Sequence, residues 1–330
     1  MCLKQASLYE VHMKGIHHLK VSNRDAAFEF ELYRNITVVR GDSGTGKTTL
    51  FDMIADYTRL RDKSGVNVQC DKDCAALTDS DWKNQLSHIS DSIVFIDEGV
   101  DYLKTKEFAD AVKNSDNYYV IFSRESLHEL PYSVEEIYEI KTSGKYHSLK
   151  KLYKSNKKHI YYTGNLKGKL KFDTVLTEDS HSGLQFYRFC FENEKVKCES
   201  SNSNSAIFRW LTEHKDQKVF VIADGAAFGS EIDRVLKLGD KLDLRLCLPE
   251  SFEWLILKSG MISAEHLADI LEAPSEYIES SEYFSWENFF EKYLVENTVG
   301  TPFQYAKKEL AGAYLNKTNS DKIIAEIYNK

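Results

Sequence analysis

Short apolar runs alternate with amphipathic segments along the first part of the chain. The run "SIVFID" at 92–97 is apolar almost without interruption, which is typical of a parallel strand buried on both faces. Other stretches rich in β-branched and aromatic residues also predict strands; they are "YEVHMKG", "FEFEL", "NITVVR", "VNVQC" and "NYYVIFS". Helical periodicity between them predicts helices at 47–60, 79–88 and 105–116. Strands that alternate with helices in this way indicate an α/β domain with a parallel sheet.

The alternation breaks at 144–171, a stretch dense in lysine and tyrosine, and then restarts. The strands predicted after the break are "DTVLTED", "KVKCES", "KVFVIADG" and "LDLRLCL", and helical segments separate them. From 262 onward the pattern becomes helical, acidic and aromatic. We therefore predict an α/β domain at 1–150, a basic linker at 151–171, a smaller α/β domain at 172–260 and a helical C-terminal region at 261–330.

The composition agrees with a soluble globular protein of two ordinary domains. The 330 residues are 42% apolar and 28% charged, with a formal net charge of −8. This acidic balance argues against a protein coated in basic charge, although a local basic groove remains compatible with it. No apolar run reaches the length of a membrane span, and the N-terminus does not read as a signal peptide. We expect a cytoplasmic protein without a membrane partner.

A glycine-rich stretch between a predicted strand and helix carries the strongest chemical signal. Gly41, Gly46, Lys47 and Thr48 fit the phosphate-loop pattern G-x-x-x-x-G-K-[ST]. Glycines let backbone N–H groups turn toward phosphates, the lysine reaches the β- and γ-phosphates, and the threonine hydroxyl ligates magnesium. The residues predicted to hold the nucleotide are Gly41, Ser43, Gly44, Thr45, Gly46, Lys47, Thr48 and Thr49. The competing interpretation is a chance glycine turn before a helix.

A second acidic element follows the apolar strand at 92–97. Asp97 is predicted to hold Mg²⁺ together with Thr48, and Glu98 to orient or deprotonate the attacking water. An apolar strand that ends in Asp-Glu also occurs as a plain surface turn. With the upstream loop, however, the pair predicts binding and hydrolysis of a nucleoside triphosphate. A small-molecule kinase is a further alternative, but it would need an acceptor-binding lid that the sequence does not reveal.

Residues 8–150 resemble the ABC-type P-loop ATPases of the SMC, RecF and OLD (overcoming lysogenisation defect) group. The resemblance rests on the strands ahead of "GDSGTGKTT", on the "FIDEG" strand and on the "YYVIFSRE" strand. It implies ATP and Mg²⁺ as ligands and an ATPase activity. Because such sites often complete themselves across a dimer, it also makes a homo-oligomer plausible. Gln69 fills the place of the glutamine that these families carry after the first helix.

The chain departs from this group at several points. It has no LSGGQ-like signature and no coiled-coil arm. Ser123 and Arg124 stand where a switch histidine would follow the strand. The sequence therefore does not support dimer closure through a signature serine. Arg124 either senses the γ-phosphate or forms a surface salt bridge.

In the second α/β segment, two predicted strands end in carboxylates. Glu178 and Asp179 follow one strand, and Asp224 follows another. The carboxyl ends of neighbouring parallel strands converge on one crevice, where such a pair can bind a hard cation. The alternative is a degenerate domain whose strand-end acids are simply solvated. His181, three residues after Glu178, either assists such a site or is an exposed loop histidine.

Residues 173–257 resemble a Toprim domain, the metal-dependent fold of topoisomerases, primases and OLD-family nucleases. By this resemblance Glu178 and Asp224 are catalytic metal ligands, and Glu253 in "LPESFEWLIL" approaches the metal. Asp179 stands where a glycine is usual, and Ala226 stands where a second aspartate is expected. Compensation for that missing carboxylate falls to Asp179, Glu231 or Glu253.

The order of an ATPase followed by a Toprim-like domain resembles the OLD arrangement, in which an ATPase regulates a DNA nuclease. The fold class expected is a P-loop NTPase parallel sheet, then a smaller Toprim-like α/β domain and a helical C-terminal region. The resemblance implies Mg²⁺ or Mn²⁺ at the second site, DNA or another nucleic acid as partner, and a role in antiphage defence or DNA repair. An operon-encoded protein partner is also compatible. The alternative is an ATP-switched binding protein whose Toprim-like domain is catalytically degenerate.

Three further features of the sequence are weaker indications of function. The lysines and tyrosines of 145–171 suit contact with nucleic acid, or they form a solvated connector or β-hairpin. The aromatic residues of 283–293 suit core packing or a partner interface. Cys70 and Cys74 are the only close cysteine pair, and their spacing favours free thiols over a zinc site.

Overall fold

The computed structural model describes residues 15–42, 44–78, 81–154, 161–162, 171–239, 242–280 and 282–327, with the backbone alone at 161–162. Within these ranges the protein is α/β. It contains a nine-stranded sheet and a five-stranded sheet, followed by helices toward the C-terminus. In the described parts of the chain, no helix is long and apolar enough to cross a membrane.

The larger sheet has a parallel core in which β8, β3, β7, β6 and β5 lie side by side. These strands span Ile137–Ser143 (β8), Ile36–Arg40 (β3), Tyr118–Phe122 (β7), Ser92–Ile96 (β6) and Asp73–Leu77 (β5). Every residue of β3, β6 and β7 is buried, as the uninterrupted apolar runs predict. The strand β5 was not predicted, because "DCAAL" is short and contains two alanines, which favour strands weakly.

An antiparallel ribbon extends the other side of this sheet. It consists of His17–Ser22 (β1), Ala27–Leu32 (β2) and Asn67–Gln69 (β4). Tyr146–Lys151 (β9) lies between β2 and β8, and it joins the ribbon to the parallel core. Residues 146–151 of the lysine-rich stretch therefore belong to the larger sheet, where they form the second strand of a β-hairpin with β8. Gln69 lies at the outer edge of the sheet, away from β3, so it does not reach the place that the resemblance implied.

Three helices connect the strands of the larger sheet. They are Lys47–Leu60 (α1), Trp82–Leu86 (α2) and Lys106–Lys113 (α3). Their positions confirm the helices predicted from periodicity, although α2 and α3 are shorter than predicted. Thr105 caps α3 by accepting a hydrogen bond from the backbone N–H of Phe108 at 3.2 Å. Asp79 and Ser80, the first two residues of the helix predicted at 79–88, lie outside the described residues.

The smaller sheet has the strand order β10-β14-β13-β11-β12. Its parallel strands are Thr174–Thr177 (β11), Lys197–Ser200 (β12), Val219–Ile222 (β13) and Leu244–Leu248 (β14). Tyr161–Tyr162 (β10) adds an antiparallel edge. The helices that accompany this sheet are Ser182–Phe191 (α4), Asn204–Glu213 (α5), Ile232–Gly239 (α6) and Phe252–Lys258 (α7). The second predicted α/β unit thus has a parallel sheet of its own.

The C-terminal part of the chain is helical, as predicted. Its helices are Leu267–Glu272 (α8), Pro274–Tyr277 (α9), Trp286–Thr298 (α10) and Lys317–Ile324 (α11). Phe289, Phe290 and Tyr293 of α10 are buried in an apolar cluster that also contains Trp254 of α7. These aromatic residues therefore belong to the hydrophobic core, which was one of the two roles predicted from the sequence.

One apolar cluster joins the two sheets. It includes Val38 of β3 and Ile121 of β7, and it continues through Leu176, Val221 and Leu246 of the smaller sheet. All five side chains are fully buried. The predicted domains consequently share part of a hydrophobic core.

Gly229 marks a close approach between the two units, and we expect its replacement to be destabilising. A Cβ at this position would lie 2.4 Å from the ring of Tyr132 and 2.5 Å from the Tyr132 carbonyl oxygen. Gly229→Ala should therefore lower the free energy of unfolding by about 1–3 kcal/mol, measured by urea denaturation. The matched control is Gly312→Ala, where no described atom lies within 4 Å of the added carbon. Equal stability of the two variants would contradict this close packing.

Candidate functional site

The predicted phosphate loop joins β3 to α1. Gly41, Gly44 and Gly46 have φ values of 141°, 82° and 99°, a region that glycine adopts without strain. A Cβ on Gly41 would also lie 3.3 Å from the Thr45 hydroxyl oxygen. The backbone conformation of this loop therefore explains why the motif has glycine at these positions. Ser43, which was predicted to contact nucleotide, lies outside the described residues.

Lys47 begins α1 and turns its side chain into the loop. The side chain is 4% exposed, and Nζ donates hydrogen bonds to the carbonyl oxygen of Gly41 and, at 2.9 Å, to that of Asp42. Anionic oxygens make stronger, charge-assisted bonds to an ammonium than neutral carbonyls do. A phosphate at the loop would thus compete well for Nζ. Thr48 and Thr49 are exposed in the first turn of the helix.

The second acidic element lies beside this lysine. Asp97 and Glu98 follow β6, and the backbone N–H of Glu98 donates to Asp97 Oδ1 at 2.8 Å. Burial raises the pKa of Asp97. Because β3, β7 and β6 are neighbours, Glu98 Oε2 comes within 3.8 Å of Lys47 Nζ. The structure therefore brings together two motifs that are separate in sequence.

Arg124 follows β7 and binds the carboxylate of Glu98. Its Nη2 donates to Oε1 at 2.7 Å and its Nε to Oε2 at 3.2 Å. A cavity of about 290 Å³ lies beside this pair, between the segments that follow β6 and β7. Arg124 thus forms a salt bridge, as one of the two sequence interpretations predicted, and its partner is Glu98. Contact with a γ-phosphate stays a prediction.

The strand-end acids of the smaller sheet line a cavity of about 110 Å³. Glu178 follows β11 and Asp224 follows β13, and the Asp224 backbone N–H donates to Glu178 Oε2 at 3.2 Å. Burial, and then the charge of Glu287, raise the pKa of Glu178 to about 8. Burial, and then Glu178, raise the pKa of Asp224 well above its usual range. The pair is therefore close together and resists carrying two negative charges.

Two side chains that line this cavity were not predicted from the sequence, and both come from the C-terminal region. Glu287 of α10 and Lys307 both line it, as does Glu253 of α7. Lys307 Nζ donates to Glu287 at 2.8 Å, and the Tyr305 hydroxyl donates to Glu253 Oε1 at 2.5 Å. Burial raises the pKa of Glu253, and the hydrogen bond from Tyr305 opposes that shift. The acidic pattern from 262 onward is the one sequence signal for Glu287.

Ala226 stands where a second aspartate was expected, and the three candidates for compensation lie in different places. Asp179 lines the cavity, but its carboxylate also accepts from two N–H groups at the start of α4. Glu253 lines the cavity as well. Glu231 is fully buried and pairs with His128 at 3.2 Å and with Arg234. Of the three, Asp179 and Glu253 thus remain positioned for compensation.

Other side chains with candidate chemistry lie at the surface or apart from both sites. His181 is exposed at the start of α4, in keeping with a plain loop histidine. Cys70 is half-buried and Cys74 is buried, and both are free thiols. Across the described residues, no three His, Cys, Asp or Glu side chains are already arranged to hold one metal ion. On β9, Tyr146 is 63% exposed and lies near Lys145. Residues 155–160 and 163–170 of the basic linker lie outside the described part of the chain.

No family model, no curated protein and no solved structure matches this chain.

Proposed function

We propose that this protein is an ATPase of the ABC and OLD-like kind that couples its nucleotide state to a Toprim-like, metal-dependent site acting on nucleic acid. The observation that carries the proposal is the approach of Glu98 to Lys47, at 3.8 Å, at the mouth of a glycine loop. This is the arrangement that phosphate binding and activation of water require of neighbouring groups.

At the phosphate loop, Lys47 would hold the β- and γ-phosphates, and Thr48 and Asp97 would hold Mg²⁺. The ion would neutralise charge on the phosphates. Burial raises the pKa of the Asp97 carboxyl, and a nearby cation would lower that pKa again. Glu98 would orient or deprotonate the attacking water. Arg124, which now binds both oxygens of Glu98, would have to shift for that step.

At the acidic cavity, Glu178, Asp224 and Glu253 would hold Mg²⁺ or Mn²⁺, with Glu287 as a further oxygen donor. Carboxylate oxygens are the ligands that these hard cations prefer. Burial, and then the charges of neighbouring acids, raise the pKa values of Glu178 and Asp224, and a bound cation would oppose both effects. Because the side chains do not yet converge on one point, binding would require them to rotate. The ion would supply Lewis acidity for phosphodiester hydrolysis.

The exposed face of β9 suits nucleic acid. Lys145 and Lys150 can neutralise phosphates, and the exposed ring of Tyr146 can stack on a base. Antiphage defence or DNA repair follows from the resemblance to OLD-type proteins alone.

The alternative is an ATP-switched binding protein with a degenerate acidic cavity. Two observations favour it. Ala226 leaves one expected carboxylate out. Lys307 pairs with Glu287 at 2.8 Å and with Glu291 at 3.1 Å, and so supplies from within the protein a positive charge that a metal would otherwise bring.

Lys47→Ala tests the nucleotide site. We expect it to weaken ATP binding about 10–100-fold, because it removes charge-assisted hydrogen bonds of about 1.5–3 kcal/mol to the phosphates. Isothermal titration calorimetry with ATP and Mg²⁺ measures this. The control is Lys83→Ala, a lysine on α2 that is 60% exposed and pairs with Glu107. Equal affinity of Lys47→Ala and wild type would remove the loop from nucleotide binding.

Glu178→Gln tests the acidic cavity. We expect wild type to nick plasmid DNA with Mn²⁺ or Mg²⁺, and the variant to do so at least about tenfold more slowly, because it loses a metal-binding oxygen. Gel electrophoresis of the plasmid measures the rate, and Glu265→Gln, whose side chain is 89% exposed, is the control. If wild type cuts nothing with either metal, or if the variant cuts equally well, the nuclease proposal fails and the binding protein is favoured.

A further inference from the structure

Arg40 connects the phosphate loop to the second unit. It is the last residue of β3, directly before Gly41, and it is 7% exposed. Its guanidinium forms an ion pair with Asp233. Nη2 also donates to the hydroxyls of Tyr132 at 3.2 Å and Ser126 at 3.3 Å. Arg40 Nε is buried without a hydrogen-bond partner among the described residues, so the charge depends strongly on Asp233.

Asp233 lies close in the chain to the acidic cavity. It is the second residue of α6, and the loop that precedes this helix begins at Asp224. Backbone hydrogen bonds hold that loop in place: the Gly225 N–H donates to the Pro249 carbonyl at 2.6 Å, and the Gly229 N–H donates to the Tyr132 carbonyl at 2.8 Å. Tyr132 thus contacts both Arg40 and the loop that carries Asp224.

The other end of β3 is attached to the same region. Arg34 precedes the strand and binds both carboxylate oxygens of Glu250, at 2.5 and 2.9 Å. The Glu250 carbonyl accepts from the Ala226 N–H at 3.3 Å, and Pro249 beside it lines the cavity. Both ends of β3 therefore hold the loop after Asp224, one through Glu250 and one through Asp233 and Tyr132.

The phosphate loop has a contact that a nucleotide would replace. Lys47 Nζ is bonded to the carbonyls of Gly41 and Asp42, the two residues that follow Arg40. When phosphate oxygens take over Nζ, the Gly41 carbonyl loses this bond and its peptide can reorient, while the Asp42 carbonyl keeps a hydrogen bond from the Thr45 hydroxyl at 3.0 Å. Gly41 follows Arg40 directly in the chain. This gives the segment two arrangements, with and without nucleotide, which a coupled site requires.

We propose that Arg40 and Asp233 are positioning residues that transmit nucleotide binding at the phosphate loop to the loop carrying Asp224. The inference rests on the proposed function, because it needs a nucleotide at the loop. Coupling of this kind is reciprocal, so occupancy of the acidic cavity also changes nucleotide affinity.

Hydrogen–deuterium exchange of the full chain, with and without ATP and Mg²⁺, tests the link. In wild type we expect slower exchange at 41–60 and a changed rate at 225–239. Asp233→Asn keeps the shape of the side chain and removes its charge. It should retain the response at 41–60 and lose the response at 225–239. The double variant Arg40→Asp/Asp233→Arg restores an ion pair with the charges exchanged and should regain part of the second response. Lys83→Gln/Glu107→Gln removes an exposed ion pair as the control.

The outcomes separate the link from the function on which it rests. No change at 41–60 in wild type would overturn the nucleotide proposal and the link together. A change at 41–60 without one at 225–239, or an undiminished response at 225–239 in Asp233→Asn, would overturn the link alone. Circular dichroism establishes that each variant is folded. If Asp233→Asn is not, Tyr132→Phe, which removes only the hydroxyl that contacts Arg40, is expected to weaken the response at 225–239, and an unchanged response overturns the link.

Discussion

Glu98→Gln is expected to bind ATP as tightly as wild type and to hydrolyse it about 10²–10⁴ times more slowly. The amide has nearly the shape of the carboxylate but cannot accept a proton from water. Binding should persist because Lys47, Thr48 and the glycine loop are unchanged. Calorimetry measures the affinity, and phosphate release measures the turnover.

The matched control for this variant is Glu107→Gln. Glu107 lies on α3, and its side chain is 64% exposed in an ion pair with Lys83. It should change neither affinity nor turnover. Hydrolysis by Glu98→Gln at the wild-type rate would remove Glu98 from its proposed role, and the approach to Lys47 would then be only an ion pair.

Glu250→Ala is expected to lower the free energy of unfolding by about 3–5 kcal/mol, because it leaves the buried charge of Arg34 without its closest partner. Arg34 binds Glu250 through two hydrogen bonds and lies 3.6 Å above the ring of Trp286. Glu136 is a second acid near it, at 3.7 Å, and burial raises the pKa of that carboxyl to about 7. Because burial favours the neutral form of Glu136, this residue is a weaker partner for Arg34 than Glu250 is.

Urea denaturation at pH 7 measures this loss. The control is Glu139→Ala, which removes the partner of Lys150 at 2.7 Å in a pair that is about half exposed. Such a pair contributes about 0–1 kcal/mol. If Glu250→Ala cost no more than Glu139→Ala, Arg34 would be neutralised by Glu136 alone, and its attachment to the second unit would matter little for stability.

The sequence predicts the parts of the fold whose pattern is local. Every residue of β3, β6 and β7 is buried, as their apolar runs indicate. One face of α1 is buried, as its helical periodicity indicates. The rule that parallel strands end at one edge placed Glu178 near Asp224, and the structure puts a 3.2 Å hydrogen bond there. These features depend on a few adjacent residues or on strand order, and both can be read from one sequence.

The parts that could not be predicted depend on contacts distant in the chain. Glu287 and Lys307 come from the C-terminal region, and nothing in their local pattern indicates that they line a cavity at the ends of β11 and β13. The place of β9 between β2 and β8 has the same cause. A lysine-rich hairpin arm and a solvated linker have similar composition, and only the pairing of Ala27 with Tyr146 and of Phe28 with His147 distinguishes them.

The position of β9 also has a consequence for the order in which the first unit can form. The ribbon of β4, β1 and β2 is complete in sequence by Gln69, yet it reaches the parallel core through β9. During synthesis from the N-terminus, that attachment must wait until Lys151 has emerged from the ribosome, long after the ribbon itself. Fragments that end before Tyr146 should therefore carry a ribbon with an unpaired edge, a surface that favours association with other chains.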